Sequence, residues 1–311
     1  MVFFFYGPNS YASRRQVREM MAAYTKKTGS DIGLERIDGP AVDLKTLTSS
    51  LLAVPFLATS RLVVVDYLSQ NKSVIEKIDE IIKAIPATTV AVFYEKEVDR
   101  RGRYFKTLVA EAKAVEFKLL TPVQLASWAK REAGKLDATI EPAAVQELLE
   151  RAGDDQWRLE QELLKLSNFD PAITKQAVVD LVEERLEESI FGLVEAMSGG
   201  QPKLALERYQ GLLAGGASEM YVLTMIMWQL RNLLLAKSAG TIPSSQLARE
   251  AGLSPFVATK AQSAQKRFSQ EQLKQAFLAG IDTEAKIKTG AGKADQLVEL
   301  LIYEVATATE K

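Results

Sequence analysis

The chain has 311 residues, with 39 basic and 40 acidic side chains and neither cysteine nor histidine. The absence of both residue types excludes disulfides, thiolate and imidazole metal ligands, cysteine nucleophiles and histidine-based triads. A formal net charge of −1 excludes the overall positive field that drives non-specific DNA binding, so nucleic-acid contacts are expected to be local or shared with partner subunits.

The amino terminus and the hydropathy pattern indicate the compartment. No apolar run approaches the roughly 20 residues that span a membrane. The first residues, Met1–Tyr6, carry no basic leader and read as a strand, not as a signal peptide. We therefore expect a cytoplasmic protein.

Strand and helix signals alternate over the first 120 residues. Apolar runs predict strands at Val2–Tyr6, Ile32–Ile37, Leu62–Asp66, Val90–Tyr94 and Val115–Phe117. Amphipathic patterns predict helices at Ser13–Lys27, Leu44–Ala53, Val74–Ile85 and Arg103–Lys113. Ser73 and Glu76 are predicted to form a capping box at the start of the third helix. This alternation indicates a doubly wound parallel α/β sheet.

Beyond residue 121 the strand signals stop. Thr121–Gln124 offers a hydroxyl N-cap, a proline at the first helical position and a glutamine three residues after the cap, which together predict a helix start. Further helices are predicted at 122–134, 142–152, 156–167 and 174–184, followed by a second helical group from about 187. Met220–Leu235 is apolar on most faces and is expected to be buried in a bundle, and Ser269 with Gln272 caps another helix.

A possible phosphate-binding loop lies between the first strand and the first helix. A working P-loop reads G-x-x-x-x-G-K-[ST], because glycines let backbone amides surround the phosphates and the lysine neutralises their charge. Gly7 matches the first glycine, but Ala12 replaces the second, Ser13 replaces the lysine and Arg14 replaces the hydroxyl residue. The loop is either a degenerate nucleotide site or a plain strand-to-helix turn.

The strand at Leu62–Val65 is followed by Asp66 and Tyr67. A Walker-B-like strand would end in two acids, so the general-base carboxylate is missing. Two degenerate motifs in register favour a catalytically inactive relative of an ATPase. The alternative is a nucleotide-dependent enzyme with an atypical phosphate site, and the absent lysine argues against it.

The densest basic cluster is Arg100–Arg103 with Lys106, and Tyr104 lies within it. Positive charge beside an aromatic ring can meet phosphate or the acids of a partner. The alternative is a solvated loop whose charge is balanced by Glu95, Glu97 and Asp99.

Pro55, Phe56 and Leu57 stand just before the apolar strand. The proline fixes the local backbone, so the two large side chains are expected at a loop tip or on one short helical turn. Burial under the sheet and exposure to a partner both remain open from these residues alone.

The order and spacing of these motifs resemble the delta-subunit family of the bacterial DNA polymerase III clamp loader. The matching segments are Gly7–Arg14, Pro55–Val65, Asp99–Leu108, Leu120–Pro122, Phe191–Val194, Gln229–Leu234 and Asp282–Gly290. The other inactive loader subunit, delta prime, usually carries zinc-ligand cysteines and a Ser-Arg-Cys arginine finger, and a chain without cysteine has neither.

The resemblance implies three domains. These are an AAA+-like α/β domain without a functional P-loop at 1–121, a small helical lid domain at 122–185 and a helical collar at 186–311. The collar would join the ATPase motor subunits and delta prime, and the assembled complex would contact primed DNA at the nucleoid. The chain is expected to be a non-catalytic, cofactor-free subunit of the polymerase holoenzyme.

The resemblance also implies a clamp-binding element. In this family a Pro-Leu-Phe-type element wedges into a hydrophobic pocket on the ring-shaped sliding clamp and favours its opening. Here the element corresponds to Pro55, Phe56 and Leu57, with the two large side chains in the reversed order.

Overall fold

The computed structural model describes residues 1–55 and 59–308. The chain folds as two compact units, Met1–Leu119 and Leu120–Lys311. Among the described residues, every helix is too short or too polar to cross a membrane.

The first unit is built on a parallel sheet. Its strands are β1 (Val2–Tyr6), β2 (Leu34–Asp38), β3 (Arg61–Asp66), β4 (Thr89–Glu95) and β5 (Lys113–Glu116). They lie in the order β2-β3-β4-β1-β5, and each neighbouring pair is parallel. The helices are α1 (Ser10–Thr28), α2 (Leu44–Leu52), α3 (Lys72–Ile75), α4 (Ile78–Ala84) and α5 (Arg103–Glu111), with a short 3-10 turn at Leu68–Gln70. The predicted parallel α/β fold class is confirmed.

Both faces of this sheet are buried. Successive side chains of a strand point to opposite faces, so Val63 and Val65 join one apolar core while Leu62 and Val64 join the other. Helices cover each face, as parallel sheets require. This explains why β3 reads as an unbroken apolar run.

One predicted helix start is wrong. The segment predicted as a single helix contains α3 and α4, and α3 begins at Lys72, so Ser73 lies inside the first turn. Its hydroxyl donates to the Asn71 side chain at 2.9 Å. Asn71 in turn donates to the carbonyl of Val42 at 2.8 Å, which ties α3 to the loop before α2. This tertiary contact takes precedence over the local capping pattern.

The second unit is mainly helical. Its helices are α6 (Pro122–Lys135), α7 (Pro142–Ala152), α8 (Gln156–Phe169), α9 (Lys175–Leu181), α10 (Leu186–Ser198), α11 (Pro202–Ala214), α12 (Glu219–Ser238), α13 (Ser244–Ala251), α14 (Pro255–Ala264), α15 (Gln270–Lys288) and α16 (Ala294–Ala308), with a 3-10 turn at Gln265–Arg267. The predicted capping boxes at Thr121 and Ser269 are present. The α12 helix is buried as expected, with Val222, Ile226 and Leu230 inaccessible to solvent.

The second unit also contains a short parallel strand pair that the sequence did not reveal. Thr139–Ile140 forms β6 and Ala172–Ile173 forms β7. Two-residue strands are too short to show an alternating pattern. The connection between α9 and α10 is non-helical, and the division of this unit into a lid at 122–185 and a collar at 186–311 stays a prediction.

Candidate functional site

The loop after β1 is packed tightly against the end of β5. Gly7 has a φ of +121°, and a Cβ atom there would lie 2.5 Å from the carbonyl oxygen of Phe117. The same carbonyl accepts the amide of Asn9 at 3.0 Å, and the Phe117 amide donates to the carbonyl of Tyr6 at 2.7 Å. Glycine is therefore required at position 7 by this packing alone.

Asn9 occupies the amino terminus of α1. Its Oδ1 accepts the amide of Ala12 at 3.0 Å, and its Nδ2 donates to the carbonyl of Lys118 at 3.1 Å. The amides at a helix amino terminus are the groups that a phosphate binds. Here the side chain of the N-cap residue takes one of them, and the amides of Ser10 and Ser13 donate to carbonyls of the same loop, so these three amides are satisfied internally.

Ser13 and Arg14 lie in the first turn of α1, because the helix begins at Ser10, three residues before its predicted start. Ser13 is fully buried, and its hydroxyl donates to the carbonyl of Asn9 at 2.9 Å. Arg14 is exposed and donates from Nη2 to the Tyr67 hydroxyl at 3.0 Å, a bond that raises the pKa of Arg14. The structure thus gathers Gly7, Ala12, Ser13 and Arg14 at the carboxyl end of β1.

Asp66 ends β3 beside this loop and is nearly buried. Its Oδ2 lies 2.5 Å from Nε of Arg36 on the neighbouring strand β2. The residue after it, Tyr67, adopts a left-handed conformation with φ +55°, which costs about 1–2 kcal/mol for a residue with a side chain. Its hydroxyl lies 3.5 Å from that of Tyr94, whose pKa is raised by burial. Asp66 therefore has a cationic partner of its own.

Glu95, at the end of β4, is a buried carboxylate whose role the sequence analysis missed. It is 1% exposed, so it is not one of the solvated acids that the alternative interpretation of the basic cluster expected. It accepts the Ser69 amide at 2.8 Å and hydroxyl at 2.6 Å, and the Tyr104 hydroxyl at 3.0 Å. Burial raises the pKa of Glu95 and these hydrogen bonds oppose the rise, while burial raises the pKa of Tyr104 well above its usual value. In the sequence, this role is indicated only by the position of an acidic residue at the end of an apolar strand.

Two arginines of the basic cluster are paired with acids of the same unit. Arg103 pairs with the buried carboxylate of Asp79, and Arg100 pairs with Glu116 while its guanidinium lies 5.5 Å from the centre of the Tyr6 ring. Arg103 thus links α5 to α4, and Arg100 links the loop before α5 to β5, while both side chains stay more than half exposed.

The predicted clamp-binding segment sits at the other edge of the sheet. Residues 53–60, here called the approach segment, connect the end of α2 to the start of β3. All strands are parallel, so this amino-terminal edge lies opposite the edge that carries the Gly7–Arg14 loop. Pro55 is partly buried and Val54 is 75% exposed. Phe56 and Leu57 lie outside the described residues, and their role stays a prediction.

Two family models match the chain. The model described as "DNA polymerase III, delta subunit" covers residues 3–118, and the one described as "DNA polymerase III delta subunit, C-terminal domain" covers residues 187–305. DNA polymerase III subunit delta of Bacillus subtilis is 25% identical over 329 aligned positions, which span 100% of this chain and 94% of the relative.

A solved structure shares the fold of the whole chain. The Bacillus subtilis DNA clamp loader delta protein superimposes with a TM-score of 0.75 at 23% identity, covering 98% of this chain and 95% of that one.

Proposed function

The chain belongs to the DNA polymerase III delta subunit family, and on that premise we propose that it binds the ring-shaped sliding clamp and opens it for loading onto primed DNA. Two models of one family cover most of the chain, and the structural relative is named as a clamp loader protein. The proposal assigns the contact to Pro55, Phe56 and Leu57.

The position of the approach segment is the observation that carries this assignment. Leu51 before it and Val63 after it are fully buried, while Val54 is largely exposed. Ser60, next to β3, is held through its carbonyl, which accepts the Tyr24 hydroxyl at 2.8 Å. The described residues on both sides of Phe56 and Leu57 are therefore held at the amino-terminal edge of the sheet. Two large apolar side chains between such fixed ends are suited to anchor in a partner's pocket.

In the proposed mechanism this chain neither forms nor breaks a covalent bond. Binding energy at Phe56 and Leu57 would favour clamp conformations in which the nearby ring interface is distorted or open, because a ligand shifts an equilibrium by its differential affinity. ATP on the neighbouring motor subunits would control access to this surface. The internally satisfied Gly7–Arg14 loop supports a non-catalytic, cofactor-free role.

The remaining partners follow from the same family membership. Residues 186–311 would join the motor subunits and delta prime, and the assembled complex would contact primed DNA at the nucleoid. The formal charge of −1 supports a shared rather than an independent DNA contact.

The test is clamp binding by the double variant Phe56→Ala, Leu57→Ala. Removing both anchors should weaken binding of the purified clamp at least about 100-fold in surface plasmon resonance, because each buried anchor contributes about 2 kcal/mol. The control Val109→Ala changes an exposed residue on α5 of the same unit and should bind normally. Unchanged affinity of the double variant would show that the assignment is wrong.

A further inference from the structure

Two exposed apolar side chains lie at the sheet edge that carries the approach segment. Ile32, just before β2, is 52% exposed, and Val54 stands at the start of the segment itself. Single exposed hydrophobic residues are common on protein surfaces. Ile32 and Val54 differ from such residues because hydrogen bonds and close backbone packing hold this edge of the sheet in place.

Tyr24 of α1 connects Ile32 to the end of the approach segment. Its hydroxyl lies 2.9 Å from the carbonyl oxygen of Ile32 and 2.8 Å from that of Ser60. Both carbonyls are therefore within hydrogen-bond distance of one oxygen atom. The adjoining residues are also bonded, since the Leu62 amide donates to the carbonyl of Gly33 at 2.9 Å. Ile32 consequently sits beside the point where the approach segment enters β3.

This junction is closely packed. Gly33 has a φ of +89°, and a Cβ atom there would lie 2.6 Å from the Tyr24 hydroxyl and 3.2 Å from the Ser60 carbonyl oxygen. Only glycine fits such an approach at this backbone angle. The position of Ile32 relative to β3 is thus set by backbone packing and does not depend on a flexible side chain.

A hydrogen bond and an ion pair also join the elements at this edge. Glu35 of β2 accepts a hydrogen bond from the Ser50 hydroxyl of α2 at 2.6 Å and pairs with Arg61 of β3 at 2.7 Å. The three elements that surround the approach segment are therefore joined through one carboxylate. An exposed apolar residue on so fixed a support is suited to contact a partner, because little conformational freedom is lost on binding.

We propose that Ile32, beside Ser60, and Val54, next to Pro55, form an apolar rim that contacts the sliding clamp together with the proposed anchor. This inference rests on the proposed function. Anchors that bind in a pocket are surrounded by contacts that exclude water from them, and Ile32 and Val54 are exposed apolar residues that adjoin the described ends of the approach segment. The rim would extend the interface along the amino ends of β2 and β3.

The rim is tested by Ile32→Asp and Val54→Asp, each titrated against the purified sliding clamp by surface plasmon resonance. Burying a charge in place of an apolar contact should weaken binding about tenfold or more for each variant. Ile32→Leu keeps the apolar contact and should stay within about twofold of the wild type. Val109→Asp, at an exposed position on α5 of the same unit, provides the matched control and should leave the affinity unchanged.

The outcomes separate this inference from the proposed function. Wild-type affinity of both aspartate variants, with binding lost in the Phe56→Ala, Leu57→Ala variant, overturns the rim and leaves clamp binding intact. Wild-type affinity of the double alanine variant instead overturns the assignment of the anchor to Phe56 and Leu57, and a wild-type chain that does not bind the clamp overturns the proposed function. Circular dichroism verifies folding, and if Ile32→Asp does not fold, Ile32→Ala supplies the measurement with an expected loss of about threefold or more.

Discussion

Gly7 shows how one residue can keep a motif position while losing the motif's chemistry. In a P-loop the first glycine lets the backbone approach phosphate. Here it lets the backbone approach the carbonyl of Phe117, and Asn9 takes the Ala12 amide. The missing lysine could be read from the sequence. The replacement contacts could not, because Phe117 and Lys118 reach the loop only after β5 pairs with β1.

A glycine comparison tests this structural reading. Gly7→Ala should lower the free energy of unfolding by about 3 kcal/mol or more, because the new Cβ meets a backbone carbonyl in addition to unfavourable φ. Gly29→Ala also has positive φ, at +71°, but its Cβ would meet no atom within 4 Å, so a loss of about 1 kcal/mol is expected. Urea denaturation measures both, and equal losses would contradict the packing role of Gly7.

At the scale of elements, the sequence predicts helix starts correctly where the capping contacts join residues close together in the chain. The capping boxes at Thr121 and Ser269 join a side chain to a backbone amide three residues away, so four consecutive residues are enough to predict them. Ser73 failed because Asn71 is bound to a loop 29 positions earlier in the chain. The burial of Glu95 was not predicted for a similar reason, since its donors come from Ser69 and Tyr104 on two other elements.

Glu95 should give the first unit a measurable pH dependence. Its pKa is raised in the folded state by burial, so folding favours the protonated form, and its contribution to stability is lost as pH rises from the ordinary glutamate value of 4.5 through the folded value. Glu95→Gln cannot titrate. The stability of this variant relative to the wild type should therefore increase as pH rises through that window.

Urea denaturation at a series of pH values from 4 to 8 measures the difference between Glu95→Gln and the wild type, which removes the contributions of other titrating groups. Glu97→Gln, at an exposed position just after β4, provides a matched control. A stability difference for Glu95→Gln that stays constant over the series would contradict the buried, raised-pKa carboxylate.

At the scale of the whole molecule, the two ends of the parallel strands carry surfaces to which different roles are proposed. Its carboxyl edge carries the filled loop at Gly7–Arg14 and the ion-paired Asp66, and its amino edge carries the approach segment with Ile32 and Val54. The fold class and the position of β3 could be predicted from hydrophobic periodicity. The proposed rim could not be predicted in this way. Ile32 and Ser60 are brought together by the hydroxyl of Tyr24, which belongs to a third element and lies within hydrogen-bond distance of both carbonyls.

Release of a closed clamp from DNA tests ring opening most directly. A fluorescently labelled clamp trapped on circular DNA should be released by a saturating amount of the purified chain without nucleotide, because preferential binding to the open ring shifts the clamp toward opening. The Phe56→Ala, Leu57→Ala variant should release none above background, and Val109→Ala should match the wild type. Retention of the clamp on DNA, with wild-type chain bound to it, would contradict the proposed opening function.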